Sequence, residues 1–424
     1  MTSLKNGVLT GAIVLSLIGC SSVSRSDEVE KAAPMEPPKT TADTNAPEAS
    51  VDARLVAANN QFGFALYREI LKRNSKPNVF ASSSSVSLAL AMVYNGAAGE
   101  TKQAMARAMK LEGMSIEDVN RANAALKASL ENPDPKVQLQ IANSLWARQD
   151  VTFKPDFIAR NKEFYGAEVT SLDFGKPEAA NTINSWVKSK TNSKIDKIVD
   201  NIDANTILFL INAIYFNGKW TEEFNKARTV PSPFKTPGGE KQHPLMSQSG
   251  KYSYYEDQKF QAVSLPYGNK RVSMYIFLPA EGSSLAEFHS QLTAENWQSW
   301  MSRFTPTDGD IMIPRFKMEY EIELNDALKA LGMGPAFDPG AADFTNMLQS
   351  SERAYIRKVK HKTFVEVNEE GTEAAAVTSA EIAITSARRP PKRFSMVVDR
   401  PFFCAIRDNQ TGSLLFMGSI TDPT

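Results

Sequence analysis

The sequence predicts an α+β fold. Apolar residues recur at helical spacing through most of the first half, whereas short alternating or continuous apolar runs dominate the second. The run from Ile207 to Phe216 is apolar almost throughout, which suits a strand buried on both faces in the middle of a sheet. No internal repeat of fixed period is present. At 424 residues with 42% hydrophobic content, the chain has ample apolar surface for a large core.

The first twenty residues read as a targeting segment. Lys5 supplies a positive charge, Val8 to Ile18 form an apolar run too short to span a bilayer, and Leu17-Ile18-Gly19-Cys20 resembles the lipobox of bacterial lipoproteins. That resemblance implies removal of residues 1–19 and lipidation of Cys20, so that an N-terminal lipid holds the chain on a membrane of the bacterial cell envelope. Ser21 after the cysteine, rather than Asp, points to an outer membrane, on its periplasmic or its surface face. Residues 20–53 are expected to be a disordered tether. Pro34, Pro37, Pro38 and Pro47 with few large apolar residues deny it a core, and a flexible chain of that length spans roughly 30 Å. The folded domain is expected over 54–424.

Phe62, Leu66 and Ile70, flanked by Leu55 and Ala65, mark a helix over Arg54–Arg73. Further helical stretches follow at Ser85–Asn95, Thr101–Met109, Ile116–Leu130, Pro155–Phe164 and Glu178–Ser189. Pro155 and Pro177 fit helix starts, where a missing N–H leaves no bond unmade. Val137–Ile141 alternates as a strand. From Tyr252 onward strands dominate, at Tyr252–Leu265, Val272–Leu278, Ile311–Met318, Tyr355–Val367, Phe394–Val398, Phe402–Ile406 and Leu414–Ile420.

Chemistry is conspicuous by what the sequence lacks. Lys plus Arg and Asp plus Glu both number 48, so net charge supplies no argument for a nucleic-acid partner. The cysteines are Cys20 and Cys404, which excludes a disulfide framework; Cys404, inside Phe402–Ile406, reads as a small buried hydrophobe. His243, His289 and His361 have no recognisable catalytic neighbourhood. There is no G-x-S-x-G, no H-E-x-x-H, no Gly-rich loop ending in Lys-Ser/Thr and no paired-cysteine metal spacing. Neither an enzyme nor a cofactor or metal site is expected. The adjacent Glu369 and Glu370, on an extended segment, are expected to face water.

The informative stretch runs from Val365 to Thr385. No Pro or Gly interrupts it between Thr372 and Arg389, and the even positions from 372 to 384 are Thr, Ala, Ala, Thr, Ala, Ile and Ile. Both charges, Glu373 and Glu381, fall on odd positions, so one face can be buried while the other stays wet. Yet the segment ends in Arg388-Arg389-Pro390-Pro391-Lys392-Arg393, which is exposed-loop text. The pattern fits a strand that joins a sheet only under some condition, but on pattern alone an ordinary paired strand is the favourite, because most alternating segments are simply paired strands.

Glu369-Glu370-Gly371-Thr372-Glu373-Ala374-Ala375-Ala376 resembles the proximal hinge of inhibitory serpins. Three further blocks agree in order and spacing: Asn78-Val79-Phe80 with Ser82, Ser85 and Ser87; Asn212 through Trp220; and Asp399-Arg400-Pro401-Phe402 through Leu415–Ile420. One departure is Ser83-Ser84, where the family usually has Pro-Leu, and it bears on the local helix start. The resemblance implies a serpin fold with three β-sheets, about eight or nine helices and an exposed reactive loop that can insert into the central sheet. It places His361 in a buried gate with Asn212, Ser82 and Ser85, and Trp220 where the loop first enters the sheet.

The resemblance also implies a function: suicide inhibition of serine or cysteine peptidases, in which a monomeric inhibitor is cleaved, forms a covalent acyl-enzyme and inserts its loop. The alternative is a non-inhibitory serpin-fold binding protein, which should carry bulky or charged hinge residues. Family loop length counted from Glu369 puts the reactive bond at Thr385-Ser386. Arg388 and Arg389 are the chemical rival, since trypsin-like peptidases read an Arg in an acidic pocket.

Overall fold

Each predicted helix forms where its apolar stripe can be covered. In a computed structural model, which describes residues 51–424 except 75, 132, 204–205, 207, 350–353 and 373–392, α1 (Ala53–Arg73) starts on Asp52, whose side chain caps the Arg54 N–H. Cys20 and nearly all of the expected tether lie outside the described residues. After β1 (Val79–Ala81) come α2 (Ser83–Tyr94), α3 (Gly99–Met109) and α4 (Ile116–Leu130). Next are β2 (Val137–Arg148), α5 (Pro155–Tyr165), β3 (Glu168–Leu172), α6 (Pro177–Lys190) and β4 (Leu208–Lys219). The Ser83-Ser84 departure does not spoil α2: the Ser82 hydroxyl accepts the Ser85 N–H and starts the helix two residues earlier than its expected Ser85 start. Residues of α2 are buried all round, which explains why its apolar stripe is so broad.

The second half holds β5 (Val230–Thr236), β6 (Gly239–Glu256), β7 (Phe260–Tyr267), β8 (Val272–Pro279), α7 (Leu285–Gln291), α8 (Ala294–Met301), β9 (Thr305–Pro314) and β10 (Phe316–Glu323). It closes with β11 (Lys358–Val367), β12 (Gly371–Thr372), β13 (Phe394–Val397), β14 (Phe402–Asp408) and β15 (Leu414–Ile420). Two expected strands are each two strands. Tyr252–Leu265 folds back at Asp257, whose carboxylate accepts the N–H groups of Lys259 and Phe260. Ile311–Met318 breaks at Pro314-Arg315, so that β9 and β10 enter different sheets.

Among the described residues, hydrogen bonds join the strands into two networks. The nine-stranded one runs β1-β15-β14-β8-β7-β6-β9-β13, with β5 on β6. Here β6 serves three ladders, pairing with β5 and β9 over most of its length and with β7 only at Ser253–Glu256, so one strand links two of the expected sheets. The six-stranded sheet runs β10-β11-β4-β2-β3, with β12 on β4. Helix α6 and the chain after it bury Ile183, Val187, Ile195 and Ile198 with Trp146 of β2, Ile211 of β4 and Phe364 of β11. The main core, with α1, α2, β14 and β15, contains Leu210, Ile214 and Phe216 of β4, which explains why that strand is apolar at nearly every position.

Candidate functional site

Inside the six-stranded sheet, β4 and β11 run parallel and are paired from Phe209↔Lys358 to Ile214↔Thr363. Beyond that point they part. Residues Tyr215–Gly218 keep their partners on β2 and Phe364–Val367 keep theirs on β10, but β4 and β11 no longer pair with each other. The short strand β12 lies antiparallel to β4, with Thr372 opposite Gly218 and Gly371 opposite Lys219. Two neighbouring strands of one sheet that part in this way leave the width of a further strand between them.

The closed part of the seam is latched by a buried polar network. His361 lies directly opposite Asn212 in the ladder, and its Nδ1 donates to Asn212 Oδ1 at 2.7 Å. Its Nε2 accepts the Ser82 N–H at 3.0 Å, so the two bonds together select one neutral tautomer. Asn212 Nδ2 donates to Asn143 Oδ1 (2.7 Å), to the Ser85 carbonyl (3.1 Å) and to Ser85 Oγ. Burial pushes the His361 pKa down to about 3. Ser82, Ser85, Asn212 and His361 are thus brought together as the resemblance implies. Asn143 was missed, although a polar pair, Asn143-Ser144, inside a buried strand was a signal.

At the open end, Trp220 Nε1 donates to the Asn368 carbonyl at 2.9 Å, and its ring stacks on Tyr267 at 4.3 Å between centroids. The Tyr267 hydroxyl bonds Thr372 Oγ1 at 3.1 Å, while the N–H groups of Trp220 and Phe224 donate to the carbonyls of Glu370 and Glu369. Trp220 therefore stands at the point where β12 meets the sheet. Tyr267 was not singled out from the sequence; only its distance to Thr372 in the fold gives it this part.

Two expectations are corrected here. Thr372 is not in an exposed loop waiting to enter the sheet: it is already seated on β4 and 1% exposed. Gly371 allows this, since its φ of +142° suits glycine and a Cβ there would stand 2.1 Å from the Gly218 carbonyl oxygen. Nor do Glu369 and Glu370 face water, at 4% and 6% exposed. Each has partners that make burial tolerable: Thr229 Oγ1 donates to Glu369 at 2.7 Å with Arg315 at 3.6 Å, and Lys226 pairs with Glu370. Glu373, Ala374, Ala375, Ala376, Thr385, Ser386, Arg388 and Arg389 lie outside the described residues.

The chain as a whole is similar to known proteins. A family profile described as Serpin (serine protease inhibitor) matches residues 57–423. The leukocyte elastase inhibitor of Equus caballus is 35% identical over 383 residues, covering 87% of this chain and 100% of the relative. Serpin B8 of Homo sapiens is 36% identical over 377 residues, covering 87% and 99%. Among solved structures, the thermophilic serpin tengpin in its native state superposes with a TM-score of 0.82 at 33% identity, over 89% of this chain and 96% of that one. Human thyroxine-binding globulin, solved in complex with its ligand, gives 0.80 at 26% identity, over 88% and 99%. Matched in sequence and in fold over nearly all the described residues, this chain belongs to the serpin family of serine protease inhibitors.

Proposed function

We propose that this chain is a suicide-substrate inhibitor of serine peptidases, and of cysteine peptidases that form an acyl-enzyme in the same way. The observation that carries the reading is the parting of β4 from β11 after Ile214 and Thr363, with Thr372 seated on β4 beyond it. A peptidase attacks the loop after Thr372 and becomes acylated. Once cut, the loop extends β12 down the seam as an antiparallel strand, exchanging the single parallel ladder between β4 and β11 for two antiparallel ones. About fourteen residues at ~3.3 Å each carry the peptidase roughly 45 Å, enough to pull its oxyanion hole apart. Losing one donor there slows acyl hydrolysis by roughly 10²–10³, so the complex persists.

The small side chains at Ala374, Ala375 and Ala376 support this reading over a pure binding module, because nothing bulky or charged on the even face resists burial. The fold alone does not decide, since a structure named for binding thyroxine shares it. We place the reactive bond at Thr385-Ser386, with Arg388-Arg389 as the rival. Incubation with a panel of serine peptidases should yield a complex that survives boiling in detergent, and the mass of the released fragment locates the bond. If every susceptible peptidase merely nicks the loop and departs, the inhibitory reading is wrong.

The same proposal includes a lipid on Cys20 that tethers a monomeric domain to the bacterial outer membrane. Cys20→Ala should leave inhibition intact while releasing the protein from membranes; unchanged membrane fractionation would remove the anchor.

A further inference from the structure

A pocket of about 490 Å³ lies beside the hinge, lined by Lys226, Thr229, Arg315, Asn368, Glu369 and Glu370. Two of these, Glu369 and Glu370, are hinge residues, held in place by the backbone bonds from Phe224 and Trp220. Within the pocket the carboxylates are unequal. Glu369 is engaged by Thr229 and Arg315, whereas Glu370 gives one oxygen to Lys226 and leaves Oε2 buried with no donor. A buried carboxylate oxygen without a donor is costly and calls for a hydrogen-bonding partner.

Arg315 shows the opposite imbalance. Its guanidinium is half exposed, and its ion pair to Glu369 is loose at 3.6 Å. Among the described residues its fork is engaged by nothing closer, which leaves N–H groups for a carboxylate. The four charged side chains sum to zero. A bare cation would meet Lys226 and Arg315, and a bare anion would meet the two glutamates. From the unpartnered Glu370 oxygen and the loosely paired Arg315, we infer that this pocket binds a small zwitterion, a free α-amino acid or a short peptide. Its ammonium sits on the Glu370 carboxylate and its carboxylate on Arg315. Such a ligand ties residues 369–370 of the hinge to Arg315 between β9 and β10, a consequence that matters for inhibition only if the inhibitory reading holds.

The test is calorimetric titration of the purified chain with glycine and glycylglycine, beside N-acetylglycine, which lacks the ammonium, and glycinamide, which lacks the carboxylate. Either zwitterion should bind at least tenfold more tightly than both single-charge controls, and the tighter of the two identifies the free amino acid or the peptide. Glu370→Gln should weaken zwitterion binding tenfold or more. Lys226→Met should tighten it several-fold, because both Glu370 oxygens then lack a donor. Circular dichroism of each variant verifies that it folds, and the opposite directions of the two effects exclude a general loss of structure. Equal binding of N-acetylglycine, no binding of either zwitterion, or the same response in both variants overturns the inference. The detergent-stable complex is measured in parallel without probes. A chain that forms it but binds no zwitterion loses only the pocket, and one that binds but forms no complex loses only the inhibitory reading.

Discussion

The two ends of the seam between β4 and β11 are held by different chemistry. At the closed end, His361, Asn212, Asn143, Ser82 and Ser85 are neutral, buried and mutually hydrogen-bonded. At the open end, Glu369 and Glu370 are buried charges whose cations, Arg315 and Lys226, stand largely in solvent. A neutral network in a dry interior is strong only while complete, since each orphaned group then keeps its full desolvation cost. Charge pairs at a wet rim are individually weak and adjustable. The lesson is a division of labour, in which the neutral network holds the paired end together and the charged rim positions β12.

The harshest way to break that comparison is Thr372→Arg. A guanidinium put in place of the Thr372 side chain loses the bond to Tyr267 and must be buried opposite Gly218, and an unpaired buried charge costs about 3 kcal/mol or more. The hinge should be expelled, and the protein should become a substrate, cut at the same bond while the peptidase leaves active. Because Thr372 is seated before cleavage, the variant should also lower the native unfolding midpoint. Glu373→Arg, at the neighbouring odd position, is the control. Equal loss of inhibition in both variants would overturn the assignment of the two faces.

Asn212→Ala attacks the other end. It strands the His361 Nδ1–H and the Asn143 side-chain Oδ1, at about 1–3 kcal/mol each, so urea unfolding should show a loss of roughly 3 kcal/mol. A loss below about 1 kcal/mol would mean that the latch contributes little and that the rim carries the seam.

Acid should act on the same end without a mutation. His361 is held neutral, with its pKa lowered by burial to about 3 against about 6.5 when exposed. A group with a depressed native pKa contributes its full stability above about pH 6.5, and that contribution is lost as pH falls toward 3. At pH 4.5 the loss should be about 2–3 kcal/mol. His289, whose pKa burial also lowers to about 4, adds its own dependence, so the measurement is the difference between the native chain and His361→Gln across pH 4.5–7.5. Parallel curves would remove His361 from the acid response.

The mildest probe is Tyr267→Phe. It keeps the ring that stacks on Trp220 and deletes only the bond to Thr372, at a cost of about 1 kcal/mol. A modest fall in thermal midpoint with a faster cleavage of the hinge by an unrelated peptidase is expected. No change in either would show that the backbone pairing of β12 suffices to seat it.

Much of this was legible in local text. The apolar run of β4 named a central strand, and Pro155 and Pro177 marked the helices they begin, whereas period two from Thr372 onward fitted an ordinary or a conditional strand and runs into residues outside the described ones. Strand breaks were less legible. The turn at Asp257 and the change of sheet at Pro314-Arg315 sit inside runs whose composition favours a strand throughout, so a window of residues reads across them. The helices α7 and α8 escaped for a related reason: each is short, and only a few of its residues are buried, so its stripe is weak.

Alternation, capping and glycine placement act between residues close in the chain, and these the sequence determined unaided: the elements, their order, and a segment able to be a strand. The state of the seam was decided elsewhere. Whether Glu369 and Glu370 face water depends on Lys226, Thr229 and Arg315, brought beside them from other parts of the chain. Whether Thr372 waits outside or is already seated depends on Gly218 and Tyr267. Burial and pairing are properties of neighbours in space, and their energies, set by desolvation against partners supplied by distant strands, exist only once the sheet has assembled.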